Sequence, residues 1–264
     1  MKVKLPVECH DNNPTFINKL TNLLLYQYTE YKTELKLFTK KKAPFLIGFN
    51  GSVSSGKSFI ADKCATRLKE CGLSVAILST DNFIYPNREL EAKKIMHRKG
   101  FPESYDIKRL LRTLDDIKAG KSVMTPLYDQ SISDISAKKH KIKKNLDIVL
   151  IEGINILQPI LSKYVGLLLS DYLDYSIYID APERYLKQWF YKRLNKKRTR
   201  WKRQGIRQNL TRKNKQQFRK WAMDIWKQTN KVNLDKYILP FKERANLIIF
   251  KNKNHKVKEI AIRI

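Results

Sequence analysis

The run Gly51-Ser-Val-Ser-Ser-Gly56-Lys57-Ser58 carries the strongest chemical signal in the chain. It matches G-x-x-x-x-G-K-[ST], a loop built to hold phosphate. Small residues let successive backbone N–H groups turn inward around phosphate oxygens, and a following helix adds the positive end of its dipole. Gly51, Ser52, Val53, Ser54, Ser55 and Gly56 would line the anion. Lys57 would reach the outer phosphates of a nucleotide, and the Ser58 hydroxyl would hold Mg²⁺. Two acids could complete such a site. Asp81 follows the apolar stretch Ser74–Ser79, where it could take a proton from an attacking hydroxyl or simply cap a turn. Glu152 ends the apolar stretch Ile148–Ile151, as an acid supporting Mg²⁺ would, or as a purely structural residue would.

The surrounding sequence supplies an alternating scaffold. Phe45–Asn50, Ser74–Ser79, Asp147–Ile151 and Asp174–Asp180 are short apolar runs that read as buried strands. Between them, Ser58–Cys71 and Asp106–Lys118 have helical apolar spacing, stopped by Gly72 and Gly120. Pro182 opens a long helix, Thr211–Lys227 reads as another, and Ala245–Phe250 and Val257–Ile262 close the chain as strands. Strands alternating with helices predict an α/β fold with a mostly parallel sheet. With no internal repeat and no low-complexity linker, the 264 residues read as one domain. Pro14–Leu37 is helical in spacing and is followed by the basic link Lys40–Lys42, so residues 1–42 read as an N-terminal helical extension.

Composition closes off other classes. The longest apolar runs, such as Ala43–Phe49 and Tyr164–Leu169, fall far short of the ~20 residues a spanning helix needs. The N-terminus reaches Glu8, His10 and Asp11 without an apolar signal segment. Three cysteines without a C-x-x-C pair point to a reducing compartment. Four scattered histidines offer no zinc spacing. The net charge of +29 suggests a polyanionic partner or solvated lysines on every face. Residues 184–223 hold 16 of the 54 Lys and Arg and none of the 25 Asp and Glu. A solvated helical face explains that run best. Trp189, Phe190, Trp201 and Trp221 interleave with it as stacking platforms would, though helical spacing already explains Trp189 and Phe190 as core.

Several segments resemble the type I bacterial pantothenate kinases. They include the phosphate loop, Thr80-Asp81-x-Phe83-x-x-Pro86-Asn87, Lys99-Gly-Phe-Pro-Glu-Ser-Tyr-Asp106 and Pro126-x-Tyr128. Glu152-Gly-x-Asn155-x-Leu-Gln158, Ser170–Glu183, Ile238–Ala245 and Asn254-His255 follow in family order, from about residue 44 onward. The resemblance implies a P-loop kinase fold and ATP-dependent phosphorylation of the primary hydroxyl of pantothenate, the first step to coenzyme A. It further implies a homodimer, while the short apolar runs, the cysteines and the charge predict a cytoplasmic protein that meets no membrane and touches nucleic acid only through charge. By position, Asp81 matches the catalytic base, and Lys57 and Arg193 match cations on the transferring phosphoryl group. Ser58 and Glu152 match residues near Mg²⁺, and His255 one near the adenine. Lys99, Tyr128, Phe190 and Asn230 match the pantothenate-binding wall, the last two within a helical substrate and lid region over 182–232.

Departures from the family concentrate on the acceptor side. Asn82 stands for a common Gly, Asp62 for a basic residue, Gln130 for a His and Ser133 for a Tyr. Phe190 has lost a hydroxyl, Lys231 replaces a Trp, and Leu194, Lys197, Ile206, Arg207 and Leu210 replace most of an aromatic wall. Family members are inhibited by coenzyme A, whose phosphates meet basic side chains and whose thiol arm lies among aromatics. The departures predict weak feedback of that kind. Two other readings stay open: a related kinase with another small hydroxyl acceptor, such as a nucleoside, and a basic nucleotide-dependent nucleic-acid-binding protein.

Overall fold

The structure, a computed structural model, describes residues 2–38, 43–158 and 169–263. The basic link at 40–42 and residues 164–168 of the second apolar run lie outside them. In chain order the elements are β1 (Lys2–His10), α1 (Pro14–Phe38), β2 (Phe45–Gly51), α2 (Lys57–Glu70) and β3 (Val75–Ser79). Then come α3 (Asn87–Ala92), α4 (Ile107–Lys118), β4 (Val123–Asp129), β5 (Asp134–Ile142), β6 (Ile148–Gly153) and β7 (Tyr175–Asp180). A helical stretch follows, with α5 (Glu183–Arg203), α6 (Gln208–Thr211) and α7 (Lys215–Ile225), before β8 (Leu247–Lys251) and β9 (Lys256–Arg263).

Seven strands form the central sheet in the order β1-β9-β8-β7-β2-β6-β3. From β8 to β3 every pairing is parallel, and β9 and β1 add antiparallel strands at one edge. Every residue of β2 and of β6 is buried, as expected of central strands covered on both faces. On one face, α1 and α2 press Leu20, Leu24, Ile60, Cys64 and Leu68 onto the strands. On the other, Leu110, Leu114 and Ile117 of α4 pack on Leu46, Val149 and Ile151, and α5 packs Leu186, Trp189 and Phe190 beside Tyr178 and Ile248.

Two sequence expectations are corrected, and one unforeseen element is added. The segment Lys2–His10 is an edge strand paired with β9, so residues 1–42 are not helical throughout. Its Val3, Leu5, Val7 and Cys9 recur every second residue, which is strand spacing, and Pro6 is tolerated there because an edge strand leaves one side unpaired. The helix expected over Thr211–Lys227 is broken at Arg212–Asn214 and restarts at Lys215. There Asn214 and Gln217 form a reciprocal capping box. It then loosens into π-helical turns at Trp226–Asn230 and Leu234–Ile238. The hairpin of β4 and β5, a separate two-stranded sheet, has no clear sequence signal: Pro126 and five Lys and His residues from 138 to 143 obscure its pattern.

Candidate active site

The phosphate loop joins the end of β2 to the start of α2, at the carboxyl ends of the parallel strands. Gly56 adopts φ +94°, a left-handed conformation, and a Cβ there would sit 2.7 Å from the Lys251 ammonium. Glycine is therefore required on both counts. Lys251, wholly buried, donates to the Ser55 carbonyl at 2.6 Å and to Asp11 Oδ2 at 2.7 Å. The loop is thus clipped from below by β8 and by the turn between β1 and α1. Burial pushes the Lys251 ammonium down, and Asp11 opposes that shift. Neither residue stands out in the sequence, because the pair spans almost the whole chain.

Glu152 closes β6 and is buried. Its carboxylate accepts from Ser58 Oγ at 2.9 Å and from Ser79 Oγ at 2.5 Å. Asp81 lies in a short 3₁₀ turn, Thr80–Phe83, directly after β3. The capping role open to Asp81 falls instead to Ser79, whose hydroxyl accepts from the Asp81 N–H at 3.4 Å. The Asp81 carboxylate is left to face the cleft, where Gln130 Nε2 donates to it at 3.4 Å. Burial and then the Glu152 charge raise its pKa, while Lys57, Arg193 and Lys197 pull the other way. A carboxyl tuned upward and ringed by cations has the character of a general base beside a phosphate site.

The acceptor side is assembled from distant segments. Lys99 donates to Asn87 Oδ1 and to the Ser133 carbonyl, and its ammonium lies 5.3 Å from the centre of the Tyr128 ring. Burial pushes Lys99 down and Tyr128 up to about 12. The buried Asn82 amide accepts from the Tyr128 N–H at 2.9 Å, so this departure ties the base-bearing turn to the hairpin. Asn233 Nδ2 donates to the Gly100 carbonyl at 3.0 Å, joining the run of π- and α-helical turns over 226–238 to the Lys99 loop. Asn230 lies buried in that segment with its Nδ2 unpartnered. Phe190 packs against Trp226, ring centres 5.7 Å apart. Tyr105, part of the Lys99–Asp106 run, is a site residue that sequence reasoning does not single out. Its buried phenol is pushed up first by burial and then by the Asp81 charge, and its backbone bridges to Ile84 beside the Asp81 turn.

Arg193 reaches the same cleft from α5, donating to Gln130 Oε1 at 3.4 Å. His255, in the turn between β8 and β9, stacks on Trp189 at 3.8 Å and 18°. Burial and the Lys251 charge push it down to about 4. Trp189 and Trp201 are buried, and Trp201 Nε1 donates to the Ser131 carbonyl, so these rings are structural rather than open stacking platforms.

The sequence profile of the phosphoribulokinase/uridine kinase family matches residues 46–258, spanning every site element from β2 to β9. The chain belongs to this family. Among its relatives, the pantothenate kinase of Streptococcus mutans is 40% identical over 83% of this chain and 72% of the relative. The pantothenate kinase of Vibrio vulnificus is 40% identical over 83% and 74%, and that of Histophilus somni 36% over 93% and 80%. The resemblance to pantothenate kinases is therefore shown. In three dimensions the chain is similar to D-glycerate 3-kinase from Cryptococcus neoformans, with TM-score 0.69 and 14% identity over 92% of this chain and 97% of that one. It is also similar to phosphoribulokinase from Rhodobacter spheroides, with TM-score 0.55 and 12% identity over 81% and 71%. The P-loop kinase fold, and with it the use of ATP, follows from this membership. Among the described residues no helix is long and apolar enough to cross a membrane.

Proposed function

We propose that this chain transfers the γ-phosphoryl group of ATP to the primary hydroxyl of pantothenate, giving 4'-phosphopantothenate. The observation that carries the reading is the 36–40% identity to pantothenate kinases, which covers both the nucleotide loop and the acceptor wall. The phosphate loop holds the nucleotide through its amides and Lys57, with His255 toward the base. Lys99, Tyr128, Phe190 and Asn230 bind the acceptor. Asp81 takes the hydroxyl proton as that oxygen attacks the γ-phosphorus. The bond to the β-γ bridging oxygen breaks, and ADP leaves with the electron pair. Lys57 and Arg193 offset the charge that spreads over the phosphoryl oxygens.

Ser58 and Glu152 present hard oxygen donors 2.9 Å apart, which suits Mg²⁺. Among the described residues no group of three His, Cys, Asp or Glu could hold a metal by itself. Such a donor set fits an ion shared with nucleotide phosphates. When bound, Mg²⁺ would supply charge neutralisation to the nucleotide phosphates. Ser58 and Glu152 would hold it, and Ser79 orients the Glu152 carboxylate. The same reading makes the enzyme a cytoplasmic homodimer, checked by light scattering and cell fractionation.

An acceptor screen with labelled ATP tests the proposal. Pantothenate is expected to be labelled and nucleosides are not. Labelled nucleosides with unlabelled pantothenate would overturn it.

A further inference from the structure

Gln130 gathers three charged groups onto one side-chain amide. Its Oε1 accepts from Lys197 Nζ at 3.0 Å and from Arg193 at 3.4 Å, while its Nε2 donates to Asp81 at 3.4 Å. Lys197 also donates to the Gln130 carbonyl at 3.2 Å. Arg193 and Lys197 are four residues apart on α5 and so share one helix face. Two cations converging on one neutral amide oxygen is a poor electrostatic match. An anionic oxygen would satisfy both donors better, because a charge-assisted hydrogen bond is roughly twice as strong as a neutral one.

The position of this pair selects the anion. It adjoins Asp81, the carboxylate that takes the acceptor's proton, so an anion held there lies next to the attacking oxygen. Pantothenate's own carboxylate is at the opposite end of that molecule from its primary hydroxyl. We infer that Lys197 is a third cation for the transferring γ-phosphoryl group beside Lys57 and Arg193, and that it and Arg193 grip that group together after letting go of the Gln130 amide. This deepens the kinase reading above and rests on it.

The surroundings of Lys197 support the assignment. It is half-buried between Arg193 and Arg207, with Asp81 and Asp129 facing it. Burial and then the two arginines push its ammonium down to about 8, and the two carboxylates oppose them. Cations crowded onto one helix face and only partly offset by carboxylates gain from an incoming dianion. Arg207 is held away from this role, since it donates to the Ile132 carbonyl at 2.8 Å and covers the Trp201 ring.

The test compares two nucleotides that differ only at the γ position. Calorimetric titration with ADP and with the non-hydrolysable analogue AMP-PNP, both with Mg²⁺, is run on the wild type, Lys197→Met and Lys197→Arg. The methionine variant should bind AMP-PNP about tenfold more weakly and ADP within twofold of wild type. The arginine variant should restore AMP-PNP binding, which separates charge from packing. In the wild type, AMP-PNP affinity should fall between pH 7 and 9 while ADP affinity holds. In Lys197→Arg that fall should vanish. Equal losses for both nucleotides, or no loss for AMP-PNP, would overturn the inference. A raised KM for pantothenate with AMP-PNP binding unchanged would also overturn it, and would assign Lys197 to the acceptor instead. The titrations contain no pantothenate, so they distinguish failure of this inference from failure of the acceptor screen.

Discussion

At the residue scale the chemistry turns on Asp81. Burial and Glu152 push its pKa up from the usual carboxylate value, which makes it a stronger base than an exposed aspartate, and Lys57, Arg193 and Lys197 oppose that shift. Asp81→Asn removes the proton acceptor and keeps the shape. ATP affinity should stay within about twofold, and turnover should fall ~10²–10⁴-fold, as read by steady-state kinetics. Near-normal turnover would remove Asp81 from the mechanism. The acid limb of kcat/KM in the wild type should lie higher than an ordinary aspartate would place it, the direction set by burial. Asp62 is a second residue-scale case. It is exposed near the same carboxylate cluster, and partial desolvation and Glu152 push its carboxyl up. An acid at that position repels phosphate where a base would attract it. Leu194, Ile206 and Leu210 pack with Trp201 and Phe218 into their own apolar cluster, which leaves no aromatic wall from those positions. Coenzyme A should therefore inhibit weakly or not at all in an ATP-dependence series. Competitive inhibition at low micromolar concentration would show that Lys197 or Arg207 has taken over the lost contacts.

At the scale of elements, the phosphate loop depends on parts far from it in sequence. The Lys251–Asp11 pair lies under Ser55 and Gly56 and binds β8, the turn after β1 and the loop into one unit. Lys251→Met leaves Asp11 buried without its partner, a change that costs about 3–5 kcal/mol. Chemical denaturation should show that loss, and KM for ATP should rise more than kcat falls. The double variant Asp11→Asn with Lys251→Met should recover most of the stability and little of the ATP affinity. If it recovers both, the pair is structural only. Asn82 works on the same scale. The family's glycine could not reach the Tyr128 N–H, whereas the asparagine amide does.

At the scale of the whole molecule, the charge of +29 is an electrostatic field more than a binding site. Basic residues of α5 to α7 are partly committed inside the protein. Arg198 donates to the carbonyls of Thr211 and Lys213, and Lys197 to Gln130. The remainder should give sequence-indifferent DNA binding at low salt that weakens steeply as salt rises, measured by fluorescence anisotropy. Nanomolar, sequence-dependent binding at physiological salt would instead favour a nucleic-acid partner.

The local signals determined a good deal. The Gly51–Ser58 run, the fully apolar strands and the proline and glycine stops are legible because each depends on neighbours within a few residues. They place β2, α2, β3, α4, β6 and β7 to within a residue or two, and Asp81 and Glu152 at strand ends. What only the tertiary structure decided depends on contacts across the chain. Asp11 meets Lys251 across 240 positions, Arg193 and Lys197 meet Gln130 across more than 60, and Asn82 meets Tyr128 across 46. No periodicity encodes such pairs, because each residue is locally unremarkable and gains its role from the partner the fold brings to it. The edge strand β1 is hidden for the same reason. Its alternating Val3, Leu5, Val7 and Cys9 are interrupted by Pro6, and pairing with β9 at the far end of the chain fixes them as a strand.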